Sequence, residues 1–397
     1  MMSRFADKVV RDWWPKRWFY LGQPAAIFAV ALVLRVGYVL MMDDLYPLDP
    51  GDQMAYDRIA REWIAGGTFM PGSSYRPPGY PAFVALVYWV FGPHRVVVEL
   101  VQAFLGAITA LLTAKLAAGL FQRRVGSFAG WIVAVLPVLI HFTGQLMAET
   151  LFTALLMALL LVQARGAESR GPSMLVTGLL TAVGALLRPN VLLLPLALAA
   201  WWKVGCGWPM RKVVSSTGLC FAVVFLCILP WSLRNLKVHG TIVPISTNGG
   251  VNLWIGNNTN ATGDWLKPAD YWLPSGQTEA EVDRQYLHAA LEHIVAHPGR
   301  TAFLAVRKFV IFWSPYPHPL DRVFFWGMAG FGLLGVAGTV RRRQSWFLLA
   351  TLAYFTVVSC VFFANQRFHV PLLPVLGVYA GAGAEWLWVL LSRKLGK

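Results

Sequence analysis

Residues 25–42 and 372–391 are apolar runs close to the ~20 residues that a helix needs to cross a hydrocarbon core. Inside lipid a backbone has no water to bond, so such runs fold as helices that satisfy their own amides and carbonyls. Regular strand alternation is not apparent in them, which argues against a barrel. Charge is scarce throughout: 13% of the 397 residues are charged and 57% are hydrophobic, against about 25% and 45–50% in soluble domains. The expected fold class is therefore an all-α integral membrane protein, with residues 1–397 forming a single polytopic membrane domain.

The net charge of +15 raises the question of a nucleic-acid partner. Its placement answers no. Eighteen of the 34 basic residues lie in six short segments, 1–22, 121–126, 165–172, 203–213, 341–344 and 393–397, which hold only three acids, Asp7, Asp12 and Glu168. The positive-inside rule puts all six in the cytoplasm. Parity then gives about ten transmembrane helices, at 23–42, 96–120, 127–145, 150–164, 173–187, 190–203, 214–233, 322–340, 345–363 and 370–392, with both termini cytoplasmic. Two apolar segments, 80–91 and 302–313, must then lie flat on the outer leaflet. Two external regions follow: 43–95, carrying juxtamembrane helices, and 234–321, carrying short helices. The expectation is a multi-pass protein of the inner (plasma) membrane whose chemistry faces the periplasm or exterior. The basic, then apolar N-terminus resembles a signal peptide, but the run is too long for an h-region and many more follow, so it reads as a retained first span. Cys206, Cys220, Cys227 and Cys360 form no CxxC pair and read as small apolar residues.

The candidate chemistry gathers at the external ends of spans. Asp43, Asp44, Asp49 and Asp52 crowd within ten residues after the first span. Asp52 follows Pro50-Gly51 at the start of an expected helix running to Ala65, with Tyr56, Ile59, Ala60 and Trp63 at helical spacing. An Asp there caps the helix, worth about 1 kcal/mol, or acts as a general base, worth about 10²–10⁴ in rate. Arg76-Pro77-Pro78-Gly79-Tyr80-Pro81 ends the same loop. It reads as a membrane-entry turn with a snorkelling arginine, or as a rigid guanidinium aimed at phosphate. Glu149 sits between two apolar runs, where an acid is either a loop residue or functional. Arg188-Pro189-Asn190 marks another external turn, and Arg234 the end of a span. Arg367 and His369 open the last span from outside, before Pro371, as lipid-headgroup anchors or phosphate ligands. His293 and His297 have a zinc-compatible spacing, but no acid joins them as in HExxH.

In this order, Asp52-x-x-x-Tyr56, Arg76-Pro77-Pro78-Gly79-Tyr80-Pro81, Glu149 before an apolar run, Arg188-Pro189 and Arg367-Phe368-His369-Val370-Pro371-Leu372-Leu373-Pro374 resemble the GT-C glycosyltransferases of the protein O-mannosyltransferase and aminoarabinose-transferase type. The resemblance runs over nearly the whole chain. It implies the GT-C fold and transfer of a sugar from a polyprenyl-phosphate donor to a glycan, lipid or protein acceptor. It implies Asp52 as the catalytic base, and Arg76 and Arg367 as contacts to the lipid phosphate. Tyr56, Tyr80, Glu149, Arg188, Asn190 and His369 complete the expected substrate-binding set. Many members have Asp-Glu where this chain has Asp52-Gln53. The resemblance names no required cofactor, although paired acids such as Asp52 and Glu149 leave room for a divalent metal. Membrane lipid is the remaining expected partner. The rival readings are a lipid or sugar transporter and an inactive accessory subunit. A transporter needs charges along a mid-membrane path, and few, such as Arg35, Lys115 and Glu385, fall inside the spans.

Overall fold

The structure, a computed structural model, describes residues 23–42, 47–166, 172–266 and 276–394. Asp43, Asp44, Arg170, Lys397 and the basic segment 1–22 lie outside these residues. The described residues form helices and no strands. In chain order these are α1 (Gln23–Met42), α2 (Asp52–Ile64), α3 (Gly79–Phe91), α4 (Arg95–Leu120), α5 (Arg123–Val135), α6 (Pro137–His141), α7 (Glu149–Gly166) and α8 (Pro172–Leu187). They continue with α9 (Leu194–Val204), α10 (Met210–His239), α11 (Gly249–Asn257), α12 (Glu279–Ala296), α13 (Pro298–Phe312), α14 (Pro319–Thr339), α15 (Trp346–Val361) and α16 (Leu373–Lys394).

Among the described residues, six helices are long and apolar enough to cross a membrane: α1, α4, α10, α14, α15 and α16. The pair α5–α6, bent by 55°, makes a seventh. The other expected spans, α7, α8 and α9, have 18, 16 and 11 residues, so the count of about ten rests on short helices. The segments expected to lie flat are the 13-residue α3 and the 15-residue α13. Large apolar side chains such as Val33, Leu226 and Leu333 stand more than 60% exposed on the helix surfaces, as lipid-facing residues do. The chain is a multi-pass membrane protein.

Proline explains the bend in α5–α6, and an arginine inside a span explains its stability. Pro137 has no N–H to return to Val133. Arg35 of α1, fully buried, instead donates to the carbonyls of Val133 and Ala134 at 3.1 and 2.9 Å, and to Ala31 at 3.0 Å. Gly106 of α4 leaves room for this side chain, since a Cβ there would stand 2.5 Å from Arg35 Nε. Arg35 therefore mends a broken helix.

The helices alternate between two ends of the bundle. At one end the basic segments meet: Arg342 lies over the Phe121 ring, Trp201 Nε1 donates to the Arg343 carbonyl, and Gln122 donates to Glu385. At the other end come the last residues of α1 and α8 and the first residues of α7 and α16. Four stretches of chain converge there to build a polar cluster.

Candidate functional site

Helix α2 starts at Asp52 behind Gly51, and no side chain caps that end. The capping reading of Asp52 is thus corrected. Its carboxylate turns away from the helix amides and accepts charge-assisted bonds, which are stronger than a neutral amide's. Arg76 Nε donates to Oδ1 at 3.2 Å. Arg367 donates to Oδ2 from Nη1 at 3.3 Å and Nη2 at 3.2 Å. Residues 315 positions apart in sequence therefore share one carboxylate.

Each arginine is held by its local sequence. Arg76 leads the stiff Pro77-Pro78 piece into α3. Gly79 allows α3 to start against the end of α8, because a Cβ there would lie 2.7 Å from the Leu186 carbonyl. Arg367 lies in a 3₁₀ stretch, Gln366–Leu372, whose N-cap Asn365 accepts from the Arg367 amide at 3.0 Å.

Behind this trio is a second, sealed pair. Glu149, the first residue of α7, accepts from Arg188 Nη2 at 3.2 Å. The Arg188 guanidinium lies 5.8 Å from the Phe152 ring centre and 5.5 Å from that of Phe368. Side-chain exposure is 3% for Glu149 and 13% for Arg188, against 30%, 26% and 32% for Asp52, Arg76 and Arg367. The pair is buried, and the trio is about a third exposed.

Tyr56, one turn along α2 from Asp52, stands between them. Burial first, then the charges of Asp52 and Glu149, raise its hydroxyl above the ordinary phenol range, opposed by Arg367 and Arg76. It stays a neutral hydrogen-bond donor. Its ring meets Tyr80 edge-on at 4.9 Å. Tyr80 donates to Gln102 at 2.8 Å, and Gln102 donates to the carbonyls of Thr143 and Gln145. Gln53 donates to the Gln145 side chain at 2.6 Å. The turn leading to Glu149 is thus pinned beneath α2.

Two expected site residues are not drawn into this cluster. The Asn190 carbonyl accepts from the Tyr354 hydroxyl at 2.7 Å, and its side-chain oxygen is buried without a partner. His369 is 1% exposed; its ring lies among Phe312, Trp313 and Phe325, and its Nδ1 bonds the Phe312 carbonyl. Gln145, Phe152 and Phe368 were not anticipated. The first lies four residues before Glu149 and the last beside Arg367, which is the only signal the sequence offers for them. Among the described residues no three His, Cys, Asp or Glu side chains come together as a metal site.

A neighbouring polar cluster ties residues 70–74 to residues 234–279. Glu279 accepts from Ser73 Oγ at 2.7 Å, from the Ser74 amide at 2.8 Å and from Thr247 Oγ1 at 2.9 Å. Arg234 donates to the carbonyls of Ser73 and Met70, to Ser74 Oγ and to Asn235. Ser74 Oγ also bonds Asn235 Oδ1 and His239 Nε2. Ser74 and Asn235 are fully buried.

Residues 75–233 match the family model for dolichyl-phosphate-mannose-protein mannosyltransferase. No curated protein matches the chain. Among solved structures, ArnT from Cupriavidus metallidurans bound to undecaprenyl phosphate aligns with a TM-score of 0.63 at 17% identity, over 94% of this chain and 62% of that one. The Archaeoglobus fulgidus oligosaccharyltransferase in the apo form aligns with a TM-score of 0.61 at 13% identity, over 96% of this chain and 52% of that one. AglB from the same organism, in complex with an inhibitory peptide and a dolichol-phosphate, gives 0.61 at 14% identity, over 96% and 53%. The chain spans between half and two thirds of the length of these structures. The chain shares its fold with these structures.

Proposed function

We propose that this GT-C-fold chain is a membrane glycosyltransferase that moves a sugar from a polyprenyl-phosphate-linked donor to a glycan, lipid or protein acceptor. The observation that carries the reading is the convergence of Arg76 and Arg367 on Asp52 at the end of the bundle away from the basic segments. By the charge rule that end faces the periplasm or exterior, with both termini cytoplasmic.

The lipid tail lies between helices, and the phosphate takes the two guanidinium groups that Asp52 holds in the structure. Both carboxylate oxygens are engaged by arginine. Phosphate that competes for those donors frees an oxygen of Asp52. The freed carboxylate accepts the proton of an acceptor hydroxyl or amine. The acceptor oxygen or nitrogen then forms its bond to the anomeric carbon from the face opposite the phosphate, with inversion. The bond between the anomeric carbon and phosphate oxygen breaks, and polyprenyl phosphate leaves with the electron pair. Arg76 and Arg367 stabilise the charge that grows on that oxygen, the kind of electrostatic help that dominates many barriers. Tyr56 is the neutral donor nearest this exchange, and the sealed Glu149–Arg188 pair holds the floor of the site.

Mass spectrometry of lipid-linked sugars and glycans tests the assignment, in cells lacking the protein and in the same cells carrying Asp52→Asn. The expected result is one polyprenyl-phosphate sugar accumulating in both, with the same acceptor losing its sugar. An unchanged lipid and glycan profile in both strains contradicts it.

A further inference from the structure

The proposed function leaves the sugar itself without a wall. In a polyprenyl-phosphate sugar the anomeric carbon is bonded directly to a phosphate oxygen. If the phosphate lies between Arg76 and Arg367, the sugar ring must border Arg367 as well.

One stretch outside the residues discussed so far meets that requirement. Pro315-Tyr316-Pro317-His318-Pro319 leads from α13 into α14, with proline at every second position. Alternating prolines hold the backbone stiff and present Tyr316 and His318 as Pro77-Pro78 presents Arg76. The Tyr316 hydroxyl lies within electrostatic reach of Glu149 and Arg367. Its ring packs against His141 at 5.7 Å and Phe142 at 5.6 Å, leaving the side chain half-buried and its hydroxyl without a hydrogen bond among the described residues. His141 is steered from the other side by the Tyr38 hydroxyl, 2.8 Å from Nδ1. His318 is exposed and acts electrostatically on both His141 and Asp321. Asp321 is 7% exposed. It accepts from the Val138 amide freed by the α5–α6 break, while its Oδ1 is buried with no partner.

The plain reading is that Asp321 caps the bent helix and that Tyr316 fills space. It accounts for the Val138 bond. It does not account for a free phenol beside Arg367. A sugar does. Its C–H face suits an aromatic ring, and its hydroxyls suit an imidazole.

We propose that Tyr316 and His318 form the subsite for the sugar of the lipid-linked donor, the ring against Tyr316 and a hydroxyl bonded by Nε2 of His318, whose Nδ1 accepts from the Leu320 amide at 3.3 Å. The subsite rests on the reading of the arginines as a phosphate site, and its test separates the two. Undecaprenyl phosphate and its mannosyl, glucosyl and arabinosyl derivatives are titrated into the full chain in nanodiscs, for the unaltered protein, Tyr316→Ala and His318→Ala, with thermal unfolding as a control on folding. The unaltered protein is expected to bind one sugar-bearing lipid more tightly than undecaprenyl phosphate. Tyr316→Ala should weaken that lipid about tenfold, the scale at which pocket contacts discriminate, and His318→Ala severalfold, while both bind undecaprenyl phosphate as before. Equal weakening of the bare and sugar-bearing lipids, or no weakening of either, overturns the subsite and leaves the phosphate site standing. An unaltered protein that binds none of the four lipids overturns both.

Discussion

Two acid–arginine clusters stand close together at the same end of the bundle and differ in almost every property that matters for binding. In one, Asp52 joins Arg76 and Arg367; in the other, Glu279 and Arg234 close around Ser73, Ser74 and Asn235. The Glu279 cluster directs its donors and acceptors inward, to chain atoms, and includes two fully buried polar side chains. The Asp52 cluster keeps about a third of each side chain exposed, and Arg76 reaches the carboxylate through Nε. Residue types alone do not distinguish a fastening from a site. Whether the donors are used up by the chain does. Ser74 and Arg76 are two residues apart, so the closed cluster anchors the strap that carries an arginine of the open one.

If this division is right, substitutions should separate cleanly. The largest effect is expected for Asp52→Asn: transfer from a polyprenyl-phosphate sugar falls by about 10²–10⁴, while thermal stability barely moves, because half-open ion pairs contribute about 1 kcal/mol or less. A large loss of stability would make the Asp52 cluster a second fastening. Next comes Arg367→Lys, which keeps the charge and loses the forked donor set; kcat/KM for transfer should fall by about 10–10², with the abundance of the protein unchanged. Glu279→Ala should show the opposite pattern. Three chain donors lose their acceptor, which costs about 2–3 kcal/mol of stability by denaturant titration, while transfer per folded molecule changes by less than a factor of about ten. An equal collapse of activity would dissolve the distinction.

A last expected effect lies outside both clusters. Lys308 of α13 donates to Asn257 Oδ1 at 2.9 Å and to the Val361 carbonyl at 3.3 Å, and burial lowers its pKa from 10.5 to about 8. The folded chain therefore releases this proton before the unfolded chain does. Between about pH 8 and 10.5 the unfolded state binds more protons, so stability rises with pH across that window and is flat below it. The melting temperature in detergent should climb modestly from pH 8 to 10, and Lys308→Met should remove the climb.

Much of the fold was readable from the chain. Apolar runs and basic segments mark helices and their ends because lipid forbids other backbone states, and α2 ends within a residue of its expected limit, although α13 begins at Pro298 rather than at the expected 302. Span number was less readable. Helices α7 to α9 are short, and Pro137 divides another span, so a hydropathy pattern counts them without establishing that each crosses. Asp52, Arg76, Glu149, Arg188 and Arg367 could be named because charge near a membrane is costly and stands out. Asn190 and His369 stand beside Arg188 and Arg367 in sequence, and the bonds they make go to Tyr354 and to the Phe312 carbonyl. The Glu279 fastening and the Tyr316 wall were not anticipated as units. Ser, Thr, Gln and Tyr draw no attention in a sequence, and their partners lie up to about 200 residues away.

The central claim is that Asp52 holds the two arginines until a lipid phosphate takes them. Cryo-electron microscopy of the full chain in nanodiscs with undecaprenyl phosphate tests it most directly. The account predicts phosphate density within hydrogen-bond distance of both Arg76 and Arg367, with at least one Asp52 oxygen released from arginine. Phosphate bound elsewhere, or an Asp52–Arg367 pair that stays closed with the lipid in place, would contradict it.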